Sequence, residues 1–86
     1  QNYPNPFNPI TTINYQLPKE SFVTLSIYNL LGQKISDLVS EEKGGGFHSI
    51  MWNGTNNFGE SVASGVYIYS ISTDEFHSFK KLVLMK

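Results

Sequence analysis

The sequence contains no cysteine and carries little charge. The absence of cysteine among the 86 residues excludes disulfide bonds, thiolate metal sites and a cysteine nucleophile. Only 15% of the residues are charged and the formal net charge is −1, so no basic surface is predicted that would attract nucleic acid or an anionic membrane. Apolar runs such as residues 82–85 are far shorter than the roughly 20 residues of a spanning helix. We therefore expect neither nucleic-acid binding nor membrane insertion.

Motifs that carry chemistry are also missing. The sequence has no nucleophile elbow, phosphate-binding loop or zinc-protease motif. His48 and His77 are far apart in sequence, and each alternates with apolar residues, so a shared metal site is not expected. One loop groups the side-chain oxygens of Asn53, Asn56, Asn57 and Glu60. A single carboxylate is too few for a calcium loop, so this group indicates turns. We predict a protein that is not an enzyme and uses no metal or cofactor.

The length and apolar content predict one small folded domain. Hydrophobic residues make up 40% and aromatic residues 14% of the chain, enough for a core. Residues 1–10 form a stiff proline-rich N-terminal segment, whose Tyr3 and Phe7 we expect to pack along the domain edge, and residues 11–86 form the β-domain. The chain begins at Gln1 without a signal-peptide pattern, so we expect any export signal to lie elsewhere on the protein.

The stretch at residues 64–71 predicts the central strand. Its β-branched and aromatic residues alternate so that neither face is wholly polar, which is typical of a strand covered on both sides. Trp52 is the expected core anchor, and Asn53-Gly54 after it is a strong turn signal. Four aromatic side chains could stack on sugars, although core filling is the favoured interpretation: Tyr28, Tyr67, Tyr69 and Phe79.

The other segments predict further short strands. Residues 12–17 and 22–29 alternate as half-buried strands do, and their short connection suggests antiparallel neighbours. Residues 33–39 fit either a strand or one helical turn, and the β-rich context favours the strand. The three glycines in residues 40–46 indicate a loop. With strands near 47–52 and 76–85, we predict an all-β, immunoglobulin-like antiparallel β-sandwich of about seven strands.

Four segments together carry a family resemblance. They are residues 2–9 (NYPNPFNP), 28–33 (YNLLGQ), 52–54 with 64–67 (WNG and SGVY), and 80–86 (KKLVLMK). In this order and at these separations the chain closely resembles the type A C-terminal sorting domain of type IX secretion cargo. That domain is related to the immunoglobulin-like domain of the flagellar hook-cap protein. The resemblance covers nearly the whole chain.

The resemblance implies a sorting signal at the C-terminus of a longer secreted protein. The expected partners are the N-terminal cargo domains of the same chain, components of the type IX translocon and a surface sortase-like peptidase. The cargo would pass through the periplasm and across the outer membrane to the cell surface or the medium. By position, the terminal sorting motif is Lys80, Lys81, Leu82, Val83, Leu84, Met85 and Lys86. The internal family motif is Gly65, Val66 and Tyr67.

The position of the last strand decides how the terminal motif could be read. At a sheet edge, a receptor could pair with its backbone by strand addition, whereas a central strand would require recognition through its outer face or local unfolding. Two other functions stay open. One is a non-catalytic carbohydrate-binding or spacer module of a secreted enzyme, and the other is a hook-cap-like assembly domain, which the long loop at residues 56–62 favours.

Overall fold

The computed structural model describes residues 10–85, which form six strands. The strands are β1 (Thr11–Leu17), β2 (Ser21–Tyr28), β3 (Lys34–Lys43), β4 (Gly46–Trp52), β5 (Gly65–Ser72) and β6 (His77–Leu84). The predicted all-β antiparallel sandwich is confirmed, with six strands rather than seven. The expectations for residues 1–9 and for Lys86 lie outside the described residues. Residues 10–85 include no helix with the length and apolar character needed to cross a membrane.

The strands form two antiparallel sheets. One sheet pairs β1 with β4, and the other has the order β3-β2-β5-β6. The central position of β5 is therefore confirmed. The predicted pairing of β1 with β2 is wrong, because these strands lie in opposite sheets. The connection around Pro18 carries the chain from one sheet to the other, and Leu17 and Ser21 on either side of it are both buried. Buried and exposed residues alternate in the same way in two strands that pair within one sheet and in two strands that face each other across the core. The pattern therefore does not show whether β1 and β2 belong to the same sheet.

Strand β3 is longer than its sequence suggested. The strand interpretation of residues 33–39 is confirmed, but the predicted loop at residues 40–46 is mostly wrong, since β3 continues to Lys43 and β4 begins at Gly46. Glu41 and Glu42 are exposed and pair in register with Val23 and Phe22. A neighbouring strand thus extends β3 into residues whose own β-propensity is low.

The core lies between the two sheets and is centred on Trp52. This side chain is 1% exposed, and its Nε1–H donates a hydrogen bond to the Thr55 carbonyl at 2.9 Å. Its ring meets that of Tyr67 edge-on, with centroids 5.2 Å apart. The expected anchor role of Trp52 is therefore confirmed. The other buried apolar residues of the core are Ile13, Leu17, Val23, Leu25, Ile27, Val39, Ile71, Leu82 and Leu84.

The turn after Trp52 brings the following loop against the end of β6. Gly54 has φ +77°, a conformation that glycine adopts without steric cost. A Cβ atom at this position would lie 3.2 Å from Leu84 Cδ2. The predicted Asn53-Gly54 turn is confirmed, and the glycine also allows the close approach to β6.

Candidate functional site

Residues 80–84 of the terminal motif form the end of the last strand, β6, which lies at one edge of the four-stranded sheet. Within residues 10–85, β6 pairs with β5 and has no hydrogen-bonded strand on its other side. Its side chains alternate between the core and the surface. Leu82 and Leu84 are 7% and 1% exposed, whereas Val83 and Met85 are 53% and 76% exposed. The motif therefore splits into two residues that anchor the strand and a set that a partner can reach.

Lys80 and Lys81 are exposed on β6 without an ion-pair partner among residues 10–85. The other described lysines each have a carboxylate nearby: Lys19 with Glu75 at 3.0 Å, Lys34 with Asp37 at 3.2 Å and Lys43 with Glu41 at 2.8 Å. Since consecutive strand residues point to opposite faces, the two unpaired charges of β6 lie on different faces of the sheet. Lys80 shares the inner face with Leu82, and Lys81 shares the outer face with Val83.

The internal motif supports the end of β6. Gly65, Val66 and Tyr67 begin β5 and pair in register with Leu84, Val83 and Leu82. Tyr67 is buried, and its hydroxyl donates a hydrogen bond to the Ala63 carbonyl at 2.6 Å. The structure therefore brings the two predicted motifs together as adjacent strands, with Tyr67 in the core.

The asparagine-rich loop between β4 and β5 uses its side-chain oxygens in turns. Asn56 Oδ1 accepts hydrogen bonds from the backbone amides of Phe58 and Glu60, at 2.9 and 3.0 Å. Asn53 Oδ1 accepts a hydrogen bond from the Thr55 hydroxyl at 2.6 Å. These bonds are the turn chemistry that the sequence favoured over calcium binding.

Asn57 of the same loop covers the first part of the outer edge of β3. Its backbone N–H donates to the Ile35 carbonyl at 3.0 Å, and its Oδ1 accepts from the Asp37 amide at 2.9 Å. The Ser26 hydroxyl donates to Asp37 Oδ1 at 2.8 Å, and this bond, with further contributions from Lys34 and Asn57, holds the pKa of Asp37 below its usual value. No local sequence pattern predicts this network, because Asn57 and Asp37 are 20 residues apart.

The outer face of the β2-β5-β6 surface carries an apolar hollow of about 360 Å³. Its walls include Tyr28, Leu30, Ile68, His77 and Phe79. The four candidate sugar-stacking rings do not share this face. Tyr28 and Phe79 line the hollow, whereas Tyr67 is in the core and Tyr69 packs against it.

A second cleft, of about 190 Å³, opens between the two sheets. It is lined by side chains of β1 and β6, together with β5 and the turn before β6: Tyr15, Gln16, Tyr69, Phe76, Ser78 and Lys80. The edges of β1 and β6 that have no strand partner within residues 10–85 therefore lie on the same side of the sandwich. Sequence patterns did not reveal this side, because it depends on how the sheets are stacked.

The two histidines belong to different parts of the fold. His48 in β4 stacks on Tyr15, with ring centroids 5.2 Å apart, and its Nε2 lies 2.7 Å from the Gly44 carbonyl. His77 in β6 contacts Ser70 and Phe79. Each ring has its own neighbours, and the structure does not bring the two together.

The whole-chain comparison decides the family. A family model described as "Secretion system C-terminal sorting domain" matches residues 1–85. The chain belongs to this family. Membership supports a role as a C-terminal sorting signal for type IX secretion, and it implies interaction with that system, attachment to an N-terminal cargo and secretion to the cell surface or medium. Sorting-signal domains of this family are in general not catalytic.

Solved structures similar to the sorting domain include two FlgD proteins. FlgD from P. aeruginosa has a TM-score of 0.70 and 21% identity over 87% of this chain and 59% of its own. FlgD from Xanthomonas campestris, whose structure was described for hook capping in flagellar assembly, has a TM-score of 0.69 and 22% identity over 90% and 56%. The sorting domain thus spans less than two thirds of either FlgD chain, and the likeness shows a shared fold. A search of curated proteins found no match.

Proposed function

We propose that residues 1–86 form a single sorting domain that directs a larger cargo through the type IX secretion system. The cargo precedes the domain on the same chain, crosses the periplasm and passes the outer membrane through the translocon. A surface sortase-like peptidase then acts on the exported protein. In this proposal residues 1–10 connect the cargo to the sandwich. Family membership supports the sorting role, and the position of β6 supports where the signal lies.

The observation that carries the proposal is that the terminal motif lies on an edge strand, where some of its side chains are buried in the core and the others are exposed. Leu82 and Leu84 fix β6 in the core, while Lys80, Lys81, Val83 and Met85 face solvent. The backbone of an unpaired strand edge presents N–H and C=O groups that another strand can bond. A translocon component can therefore add a strand to β6 without unfolding the domain, and the exposed side chains provide specificity.

The test is the export of a fluorescent protein fused ahead of the 86-residue chain, behind an inner-membrane signal, in a bacterium with a type IX system. Deletion of residues 82–86 is unsuitable, because it removes Leu82 and Leu84 from the core. We therefore use the double variant Lys80→Glu with Lys81→Glu. Its control carries the same two reversals on the opposite edge strand, Lys34→Glu with Lys43→Glu. Circular dichroism checks the fold of each purified variant.

Three outcomes separate the elements of the proposal. We expect the unaltered fusion and the β3 control to be exported and the β6 variant to stay in the periplasm while folded. Equal export of both variants would overturn the assignment of the signal to β6. Periplasmic retention of the unaltered fusion, in a host that exports its own cargo, would overturn the sorting function for this chain.

Carbohydrate binding is a second candidate with one observation in its favour. The hollow beside Tyr28 and Phe79 is apolar, of ligand size and open on the outer face. In this case Tyr28→Ala, which alters the hollow but not β6, would abolish binding on a glycan array and leave export unchanged. A hook-cap-like assembly domain would instead form defined oligomers of the isolated chain, which analytical ultracentrifugation detects.

A further inference from the structure

The two sides of the sandwich differ in how their strand edges are covered. On the β3 side, Asn57 bonds the strand edge at Ile35 and Asp37, and a short connection joins β3 to β4. On the opposite side, the edges of β1 and β6 have no strand partner within residues 10–85 and flank the inter-sheet cleft. The Lys19–Glu75 ion pair, 3.0 Å long, joins the β1–β2 connection to the turn before β6. The open side is thus a slot with two unpaired strand edges.

Two positively charged side chains lie on β6, the strand at one edge of this slot. Lys80 lines the cleft and shares the inner face of β6 with Leu82, and Lys81 shares the outer face with Val83. Both are without an ion-pair partner in the described part of the chain. Apolar side chains flank Lys81 on the outer face, where Phe79 and Val83 are exposed.

We propose that the open side binds an extended segment of the secretion machinery that carries two consecutive acidic residues with apolar residues around them. The proposal rests on the proposed function, and it specifies the chemistry of the partner. The segment adds to β6 as a strand. Its side chains then alternate between the same two faces as those of β6, so a carboxylate beside Lys80 and another beside Lys81 must come from adjacent residues. Apolar residues on either side meet Phe79 and Val83.

Two occupants from this chain fit less well. Residues 1–9 contain no acidic residue, and their prolines at 4, 6 and 9 lack the amide donors that a paired strand supplies. A second copy could offer Glu41 and Glu42 of β3. However, Glu41 is already ion-paired with Lys43, so a second copy would offer only Glu42 as an uncompensated carboxylate, whereas Lys80 and Lys81 together match two. The charges therefore favour a separate protein.

The proposal is tested by titrating the ¹⁵N-labelled 86-residue chain with the peptide Thr-Val-Phe-Glu-Glu-Val-Tyr-Thr and following amide shifts by NMR. We expect shifts in β6 and in the facing part of β1, with binding that weakens as salt is added. A peptide with Gln-Gln in place of Glu-Glu should bind about tenfold more weakly, since it loses two charge pairs.

A charge exchange provides the control. The chain with Lys80→Glu and Lys81→Glu should no longer bind the Glu-Glu peptide and should bind a peptide with Lys-Lys at the same positions. The chain with Lys34→Glu and Lys43→Glu should bind the Glu-Glu peptide as the unaltered chain does. Absence of β6 shifts with the Glu-Glu peptide, or equal binding of the Lys-Lys peptide by the unaltered chain, overturns the proposal. Self-association through β3 and β6 without peptide overturns the assignment to a separate partner.

The two proposals fail in different ways. Export of the unaltered fusion without peptide binding would overturn the acidic-strand inference and leave the sorting function standing. Peptide binding at β6 with an unaltered fusion that stays in the periplasm would overturn the sorting function and leave the binding surface standing.

Discussion

The two edge strands of the four-stranded sheet, β3 and β6, differ in what bonds their outer backbone edges. On β3, the Asn57 backbone and side chain bond the outward groups of Ile35 and Asp37, at 3.0 and 2.9 Å. On β6, no strand within residues 10–85 bonds the outer edge. The charges follow the same division, because the lysines of β3 are ion-paired and those of β6 are not.

This difference supports the proposed binding edge on β6. An uncovered strand edge exposes a protein to unwanted pairing, and natural proteins usually cover such edges or place lysines on them. Here a loop covers one edge at Ile35 and Asp37, whereas the other edge has only Lys80 and Lys81, which disfavour pairing with a second positive strand. An acidic strand would meet no such barrier. In the proposed interaction, the edge of β6 is therefore accessible to another strand and favours an acidic one.

The largest expected effect separates the anchors of β6 from its exposed residues. Leu84→Ala should lower the free energy of unfolding by about 3 kcal/mol, because it leaves a cavity beside Gly54. Its neighbour Val83 is 53% exposed, so Val83→Ala should change stability by about 0.5 kcal/mol or less. Urea unfolding of both variants measures the contrast. Similar losses would show that the exposed side of β6 is structural too.

The next effect concerns the covered edge. Asn57→Ala removes the amide that bonds Asp37 on two sides and should cost about 1 to 2 kcal/mol. Hydrogen exchange at the Asp37 amide should become faster, and the chain should self-associate more readily through β3. Asn53→Ala, in the same loop but bonded to Thr55, is the matched control. Unchanged exchange at Asp37 would contradict the covering role of Asn57.

The sequence predicted well those features that depend on local alternation. In β1 and β4 the residues that alternate in sequence are the ones that alternate in burial, and Trp52 is the anchor that its size suggested. Turn residues marked the end of β4, where Gly54 of the predicted Asn53-Gly54 turn has φ +77°. The family motifs identified the chain's class because all four occur in order.

Features that depend on distant neighbours were not predicted. The assignment of β1 to the sheet of β4 and the extension of β3 to Lys43 both follow from pairing partners elsewhere in the chain. The terminal motif suggested four apolar residues for a receptor, yet the alternation of β6 buries Leu82 and Leu84. The covering of β3 could not be predicted either, since no local signal links an asparagine in a loop to a strand edge.

A smaller effect follows from the pKa of Asp37. The Ser26 hydroxyl bond lowers this pKa, so the ionised carboxylate stabilises the fold above about pH 4, and the contribution is lost as the pH falls through the lowered value. The carboxylate is 42% exposed, so solvent screens much of the effect. Thermal unfolding at pH 7 and pH 2.5 should show less acid sensitivity for Asp37→Asn than for the unaltered chain. Asp74→Asn, in the β5–β6 turn, is the control. Equal acid sensitivity of Asp37→Asn and the unaltered chain would show that Asp37 does not contribute to the loss of stability in acid.

The smallest effect on stability is expected at the open edge itself. Lys80→Gln removes a charge that has no ion-pair partner within residues 10–85, so the free energy of unfolding should change by about 0.5 kcal/mol or less. Lys43→Gln removes a paired lysine and should reduce the salt dependence of unfolding, which Lys80→Gln should leave unchanged. Thermal unfolding in low and high salt measures both. A clear loss of stability in Lys80→Gln would mean that this charge stabilises the fold. The proposed binding requires the opposite, a charge that contributes little to stability and is available to a partner.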